Sequence, residues 1–377
     1  MNQPKFLPLD TRAATTSLRQ PKELLSFSRT FDGEYVNDDS SLSYYFLPDS
    51  DIDTNIDLGA GFKKFKKFDE ERDGEFVGLL GAIKNYEEKN DTKVKADIIT
   101  WRGIMTKLMT LHQNLRDPLD LNVVYFDGHI FMQEDKALKM SREKKPNLEH
   151  QKLMYSGYKF ETIATLPKPL TEASRAMIDK NSKKITNNCE QYCSVVKTGI
   201  GKQRIIIGGE VDCVWDYKPE SGNPLSHYVE LKTSKAINEP SQSVKFEKKL
   251  YKTWAQCFLL GIQKVIYGFR DDNLILRSVE QYKVDEIPVL LKNNPVNTNP
   301  RKINCIDSLK WYGAVVEWIV KNVPKEESKA FRLSYDPSTK LLSLFELTPD
   351  VGSSILEGGL LTEDFKNWRI NRRDAKK

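Results

Sequence analysis

Two short stretches carry charged residues at strand spacing. GGEVDCVWDY, starting at residue 208, sets Glu210 and Asp212 two positions apart, and HYVELKTS, starting at residue 227, does the same with Glu230 and Lys232. In an extended strand residues i and i+2 share a face. If the two stretches are strands that pair antiparallel, Glu210, Asp212, Glu230 and Lys232 converge on one surface. Carboxylates gathered in this way repel one another unless a cation lies among them, and hard oxygen donors select Mg²⁺ or Mn²⁺ over zinc. Such an ion clamps a phosphodiester and activates a water, while a neighbouring lysine offsets the charge that builds up around phosphorus. The chemistry this combination suits is hydrolysis at a phosphate.

Spacing alone does not single out this pair. Glu-x-Lys recurs at Glu87/Lys89, Glu134/Lys136, Glu143/Lys145, Glu247/Lys249 and Glu327/Lys329. Those copies sit in polar or helical surroundings, where an i, i+2 pair splays apart. Only Glu230 and Lys232 lie in an apolar strand that directly follows another strand bearing paired acids. The bland alternative is an exposed sheet face with cross-strand ion pairs.

Three further residues are open to two readings each. In VKFEKKLYKTWAQCFLLGI (244–262), read as a helix, Lys249, Lys252 and Gln256 form a polar face beside the stripe Phe246, Leu250, Trp254, Phe258. Gln256 either holds a phosphate oxygen or the attacking water, or is a glutamine at the surface boundary. In YSGYKFET (155–162), read as an alternating strand, Glu161 shares a face with Lys159 and is either a fourth acid or a surface glutamate. In ITWRGIMTK, Arg102 opens a helix, where it meets an anionic 5′ group or serves as a cap or ion-pair partner within the fold. GFKKFKKF (61–68) interleaves Lys63, Lys64, Lys66 and Lys67 with aromatics. That is either solvated charge beside half-buried rings, or a nucleic-acid contact or import signal. No P-loop, dinucleotide-binding glycine pattern or serine triad is present, and the four histidines are dispersed.

The elements needed to position these residues follow from periodicity. FVGLLGAIKNYEEK (76–89), TEASRAMIDKNSKK (171–184) and DSLKWYGAVVEWIVKNV (307–323) read as helices, and ADIITWRGIMTKLMTLHQ (96–113) as a strand start running into a helix. LNVVYFDGHIFMQED folds as a hairpin on Asp127-Gly128. QYCSVVKTGIGKQRIIIGGEVDCVWDY reads as two strands, with HYVELKTS a third, antiparallel to the second. KVIYGFRDDNLILRSVEQYKV and FRLSYDPSTKLLSLFEL supply further hairpins. Strands and helices in this order, with antiparallel hairpins, predict an α+β fold with mixed, largely antiparallel twisted sheets flanked by helices.

With 377 residues and no evident linker, one catalytic domain over 1–377 is the expectation, with residues 1–20 and 366–377 loosely held. The chain is 39% apolar and 29% charged, with a net charge of +5 that permits a polyanionic partner. No run approaches the roughly 20 apolar residues of a membrane span, and the N-terminus lacks a hydrophobic signal core, so an intracellular protein without a membrane partner is expected. The five scattered cysteines fit buried free thiols in a reducing compartment.

Taken together, the Glu-x-Asp and Glu-x-Lys strands resemble the PD-(D/E)XK nuclease core. The wider set TWRGIMTK, GYKFE, GGEVD, VELK and KTWAQ resembles the DXO family of RNA 5′-end quality-control enzymes, as do PKELLSFS, SLSYYFLPD and GFRDDNL. The resemblance runs from about residue 20 to past 270. It implies coordination of Mg²⁺ or Mn²⁺ by Glu161, Glu210, Asp212, Glu230 and the main-chain carbonyl of Leu231. It also implies Lys232 and Gln256 at the scissile phosphate and Arg102 at the RNA 5′ end. The implied substrates are aberrant RNA 5′ ends: triphosphate ends losing pyrophosphate, unmethylated caps losing the whole dinucleotide, and NAD-type caps. Some members of the family also degrade RNA 5′→3′. The length and the arginine motif look like the fungal nuclear branch, whose members bind and stabilise a nuclear 5′→3′ exoribonuclease, so a nuclear location is implied. Two other roles stay open, a mainly non-catalytic stabilising subunit and a DNA-directed nuclease of the same core.

Overall fold

The computed structural model describes residues 3–14, 17–47, 55–69, 76–181, 183–298 and 302–375. The last two residues of SLSYYFLPD, Pro48 and Asp49, lie outside them. In chain order the strands are β1 Lys5–Pro8, β2 Leu18–Arg29, β3 Tyr35–Val36, β4 Tyr44–Tyr45, β5 Ile98–Trp101, β6 Leu119–Phe126, β7 His129–Glu134 and β8 Thr165–Leu166. They continue as β9 Gln191–Ile200, β10 Gln203–Glu210, β11 Cys213–Val214, β12 Tyr228–Lys235, β13 Lys264–Arg270, β14 Leu276–Lys283, β15 Ala330–Asp336 and β16 Leu341–Glu346. The helices are α1 Val77–Lys89, α2 Arg102–Thr110, α3 Lys136–Arg142, α4 Leu148–Ala164 and α5 Arg175–Asn181. After these come α6 Pro240–Leu260, α7 Ile287–Asn293, α8 Cys305–Asn322, α9 Pro349–Ser354 and α10 Glu363–Ala375.

The strands form a ten-stranded sheet, β1-β16-β15-β6-β7-β5-β10-β9-β2-β3, and a six-stranded sheet, β14-β13-β12-β11-β4-β8. Most neighbours are antiparallel, as expected for this α+β chain, with parallel steps at β5–β7, β5–β10, β4–β11 and β12–β13. Alternation sorts the strand residues into layers. Ile98, Leu121, Val123, Ile205 and Ile207 point one way from the large sheet, toward α2, α6 and α8, whose other side meets Tyr228, Val265 and Tyr267 of the small sheet. Ile99, Val124 and Ile206 point the opposite way, onto α1 and the Phe365 end of α10. Val229, Leu231 and Ile266 leave the small sheet on its far face, where Phe160, Ile163 and Ala164 of α4 cover them. Helices α2 and α6 are therefore held between the two sheets.

Local chemistry explains the joints. Asp127 and Gly128 both adopt positive φ (45° and 83°), which makes the tight turn between β6 and β7. Helix α6 opens on a capping box between Glu239 and Gln242, with Pro240 in its first turn, and ends on Gly261 at φ 84°, from which the chain drops into β13. The strands around α6 are thus parallel, a β-α-β unit.

Three readings change. The alternation of YSGYKFET reflects no strand; the segment lies in α4. Asn147 caps that helix by accepting from the His150 N–H at 2.8 Å, and Tyr155, Phe160, Ile163 and Ala164 are buried at helical spacing. The helix expected over 171–184 is confined to Arg175–Asn181. Both chain ends, expected to be loose, have packing partners: β1 pairs with β16, Arg12 Nε lies 2.7 Å from Asp307 Oδ1, and α10 buries Arg369. Arg369 Nη1 sits 2.7 Å from Asp127 Oδ2 and its Nη2 2.7 Å from Glu87 Oε1, so the Glu87 of one stray Glu-x-Lys is a structural anchor.

Candidate active site

GGEVDCVW is not one continuous strand. β10 pairs with β9 up to Glu210, and the chain then leaves the large sheet and joins the small one at Cys213. Glu210 and Asp212 therefore flank a crossing between sheets, and the strand antiparallel to β12 is the two-residue β11. The two glycines before Glu210 make room for this crossing. A Cβ on Gly208 would come within 2.9 Å of the Trp101 ring, and one on Gly209 within 3.0 Å of Leu260 and 3.2 Å of the Arg102 Cβ. A glycine pair inside a β-branched run marks such a close approach, and it is the signal that sequence reasoning passed over.

Because β11 pairs with β12 only at Cys213–Val229 and Val214–Tyr228, that edge of β12 is open from Glu230 onward. Asp212 takes the place of a strand there, its Oδ2 accepting the Leu231 N–H at 2.6 Å. In an extended strand the N–H and C=O of one residue point to the same edge, so the Leu231 carbonyl faces this opening as well. Glu230 projects from the face of β12 that meets α2 and α6 and is fully buried. It receives Arg102, at the start of α2, with Nη1 2.7 Å from Oε2, and the ammonium of Lys232 on its other oxygen. The face that carries Glu230 and Lys232 lies between the two sheets, which removes the alternative of an exposed face.

Glu161 comes to the same opening from the opposite side of the small sheet, on α4. Gly157, one turn earlier, passes over β12, where a Cβ would be 3.9 Å from Thr233 Oγ1. In the helix Glu161 stacks on Tyr158 and Gly157 rather than sharing a face with Lys159.

The charges at this opening act on one another. Burial, then Asp212 and Glu210, push the Glu161 carboxyl well above the carboxylate range. Asp212 is pushed up to about 7 by burial and then Glu230, and Glu210 is raised by burial against the pull of Arg102. Glu230 goes the other way: burial raises it, but Arg102 and Lys232 outweigh burial and hold it down to about 2. Lys232 and Arg102 are both held above their usual ranges, because the acids overcome the cost of burial.

The acids are of the right type for a hard divalent cation, and three of them are electrostatically frustrated without one. As placed, no three His, Cys, Asp or Glu side chains among the described residues are disposed around a common ion. The reason is visible in the contacts: Glu230 is turned onto Arg102 and Lys232, and Asp212 onto the Leu231 amide.

Helix α6 reaches the site at Cys257, a buried thiol pushed well above its usual range by burial and then by Glu230, with Arg102 and Lys232 acting on it as well. Gln256, the residue before it, is half-buried. The polar face expected on this helix divides along its length: Lys249 Nζ donates to Ser234 Oγ at 3.3 Å, and Lys252 is exposed on the rim of a different hollow. Beside Glu210 opens a cavity of about 380 Å³ whose wall includes Trp101, Phe27, Tyr158, Phe68 and Arg29. Thus Arg102, Glu161, Glu210, Asp212, Glu230, Leu231 and Lys232 meet at one opening, with Gln256 on the adjoining turn of α6.

Comparison with known proteins gives a consistent picture. Residues 19–366 match the family described as RAI1 like PD-(D/E)XK nuclease. The decapping nuclease RAI1 of Debaryomyces hansenii is 53% identical, with 97% of this chain and 98% of that protein aligned. The crystal structure of Candida albicans Rai1 in complex with pU5-Mn²⁺ superposes with a TM-score of 0.94 at 49% identity, covering 98% of this chain and 100% of that one. Scheffersomyces stipitis Rai1 in complex with (3′-NADP)⁺ and calcium ion gives a TM-score of 0.90 at 50% identity, covering 97% and 100% of the two chains.

Proposed function

The chain belongs to the RAI1-like PD-(D/E)XK nuclease family, and from that premise we propose that it is a divalent-metal-dependent hydrolase that clears aberrant RNA 5′ ends. It is an enzyme of the decapping-nuclease type. The finer reading is that it releases pyrophosphate from 5′-triphosphate RNA and removes unmethylated and NAD-type caps. The observation that carries this reading is the meeting of four acids and Lys232 at the open edge of β12, directly beside the arginine that starts α2.

Glu161, Glu210, Asp212, Glu230 and the Leu231 carbonyl would hold Mg²⁺ or Mn²⁺. When bound, the ion supplies Lewis-acid polarisation of a phosphoryl oxygen and a more acidic water. The protein's own groups do the rest. Lys232 keeps its proton at neutral pH, because Glu230 and Asp212 raise its affinity for it, so it acts as a fixed positive charge at the scissile phosphate and not as a base. Arg102 is bonded to Glu230 as placed; once that carboxylate is taken, its fork would be available to a 5′ phosphate at the N-terminal end of α2, where Trp101 supplies no side-chain cap and the helix dipole favours an anion. Gln256 orients a phosphate oxygen or the attacking water.

The test is to incubate the protein with 5′-triphosphate RNA and Mn²⁺. Pyrophosphate release that is lost in Asp212→Ala and Glu230→Ala supports the reading, and full release by the double variant overturns it. A nuclear location and the binding of a nuclear 5′→3′ exoribonuclease complete the proposal, on the strength of the family resemblance. Addition of the Asp212→Ala variant to that exonuclease separates the roles: unchanged stimulation assigns stabilisation of the partner to a surface other than the acid cluster.

A further inference from the structure

Residues Gly61–Phe68 put four lysines beside the active-site cavity on a segment the fold holds firmly. Phe62 and Phe65 pack on Tyr155 of α4 with ring centroids 5.5 and 5.3 Å apart, and Phe65 also stacks on Tyr158 at 5.4 Å. Tyr155 donates to the Ala60 carbonyl at 2.6 Å, and the Lys66 N–H donates to Thr186 O at 3.1 Å. The Arg29 guanidinium covers the Phe68 ring at 3.7 Å. With the rings turned inward, Lys63, Lys64, Lys66 and Lys67 are all exposed, and among the described residues none of them is in an ion pair. Phe68 and Tyr158, which this segment packs with, are also wall residues of the cavity that contains Glu210.

We propose that this segment is the electrostatic seat for the RNA body: its lysines bind phosphates of nucleotides 3′ of those held in the active site. The inference rests on the reading of the site as an RNA 5′-end hydrolase and adds where the rest of the strand lies. Two other cations at the cavity are already engaged by the protein. Lys107 pairs with Glu134 and Arg29 donates to the Asn188 and Cys189 carbonyls at 2.8 Å each, whereas the 61–68 lysines are in no ion pair among the described residues and can meet phosphate. Because the phenylalanines are committed to α4, the segment offers charge without stacking platforms, so it recognises phosphate without regard to base. The same anchoring disfavours use as a linear import signal, since a receptor that reads an extended basic peptide would have to pull Phe62 and Phe65 off Tyr155.

The experiment compares the full-length protein with a variant carrying K63Q, K64Q, K66Q and K67Q, and with one carrying lysine-to-arginine changes at the same positions. Probes are 3′-fluorescent 5′-monophosphorylated oligouridylates of two and twelve nucleotides, titrated by anisotropy in EDTA over a range of salt. The wild type is expected to bind the longer RNA at least ~10-fold more tightly. The glutamine variant should lose most of that gain, with a log–log salt slope shallower by about 2–3, at about 0.7 per phosphate contact on a single strand. It should release pyrophosphate from a triphosphorylated dinucleotide at the wild-type rate, and the arginine variant should behave as wild type. A glutamine variant that keeps the length gain and slope overturns the proposal, including the case in which it loses only binding to a nuclear import receptor. Wild-type protein that releases no pyrophosphate overturns the functional reading, and this inference with it.

Discussion

Arg102 Nη1 lies 2.7 Å from Glu230 Oε2, so a residue suited to the RNA 5′ end is bonded to one suited to the metal. Lys232 occupies the other oxygen of the same carboxylate. In this arrangement the site neutralises itself, and both cations are withheld from phosphate. A divalent ion held at Glu230 would compete with the pair, so metal binding would free Arg102 and Lys232 for substrate.

The competition predicts how Arg102→Met behaves. Removing one partner of a buried pair costs about 3–5 kcal/mol where the other charge is left uncompensated, and Lys232 on the other oxygen of Glu230 holds the loss here to the low end of that range or below. Thermal melts should show that loss without metal and a larger rise in Tm on Mn²⁺ addition for the variant than for the wild type. Equal rises would mean that Arg102 does not compete with the ion.

The repulsion among the acids predicts a divergence between stability and activity. Asp212 and Glu161 are both pushed up by burial and by neighbouring acids. Neutral Asp212→Asn and Glu161→Gln should therefore leave the metal-free protein at least as stable as wild type by denaturant titration. Pyrophosphate release should nevertheless drop by about 10²-fold or more, the range seen when a preorganised charge-stabilising group is removed.

Gly209 tests the positioning of α2. A Cβ there would sit 3.0 Å from both Leu260 methyls and 3.2 Å from the Arg102 Cβ. Gly209→Ala should cost about 1–3 kcal/mol through overpacking and raise KM for RNA more than it lowers kcat, because Arg102 is displaced. Gly81→Ala, which meets nothing within 4 Å in α1, is the control and should be neutral or slightly stabilising.

A pH response follows from His129, which is buried between the carbonyls of Val94 and Asp127 at 3.1 Å each. Burial, then Arg369 and Lys93, lower its pKa to about 3. Between that value and the ordinary 6.5 the unfolded chain binds a proton that the folded protein refuses. Its contribution is therefore complete above about pH 6.5 and is lost as pH falls toward 3, by at most about 1.4 kcal/mol per pH unit. Urea titrations of His129→Asn across this window should show a correspondingly shallower decline than wild type.

The strand-borne part of the site was legible in sequence because period-2 patterning survives burial. Glu230 and Lys232 share a face of β12 as read, and Arg102 does begin a helix. Glu161 reads as part of a strand in sequence but lies on a helix, since Tyr155–Thr162 alternates over a window too short to separate a strand from a helix. The crossing between Glu210 and Cys213 was hidden as well: one run of strand-like residues serves two sheets, and only Gly208-Gly209 hints at the crowding. The pairing of Glu230 with Arg102 could not be read at all, because the two residues are 128 positions apart and meet only once α2 is held between the sheets. Neither did the pattern separate β12–β13 as a parallel pair, since the alternation within a strand is the same whichever way its neighbour runs.

The buried bond between Arg369 and Glu87 spans 282 positions. At about 5–20 residues per second, a ribosome takes roughly 15–60 s to travel from one partner to the other. Throughout that interval Glu87 lacks its buried counter-charge, while Asp127, once made, has only Lys93 beside it, with Nζ 2.8 Å from Oδ2. Protonation, water or a chaperone must cover Glu87 until α10 arrives, so closure of the α1 face is a late event of synthesis and not an early one.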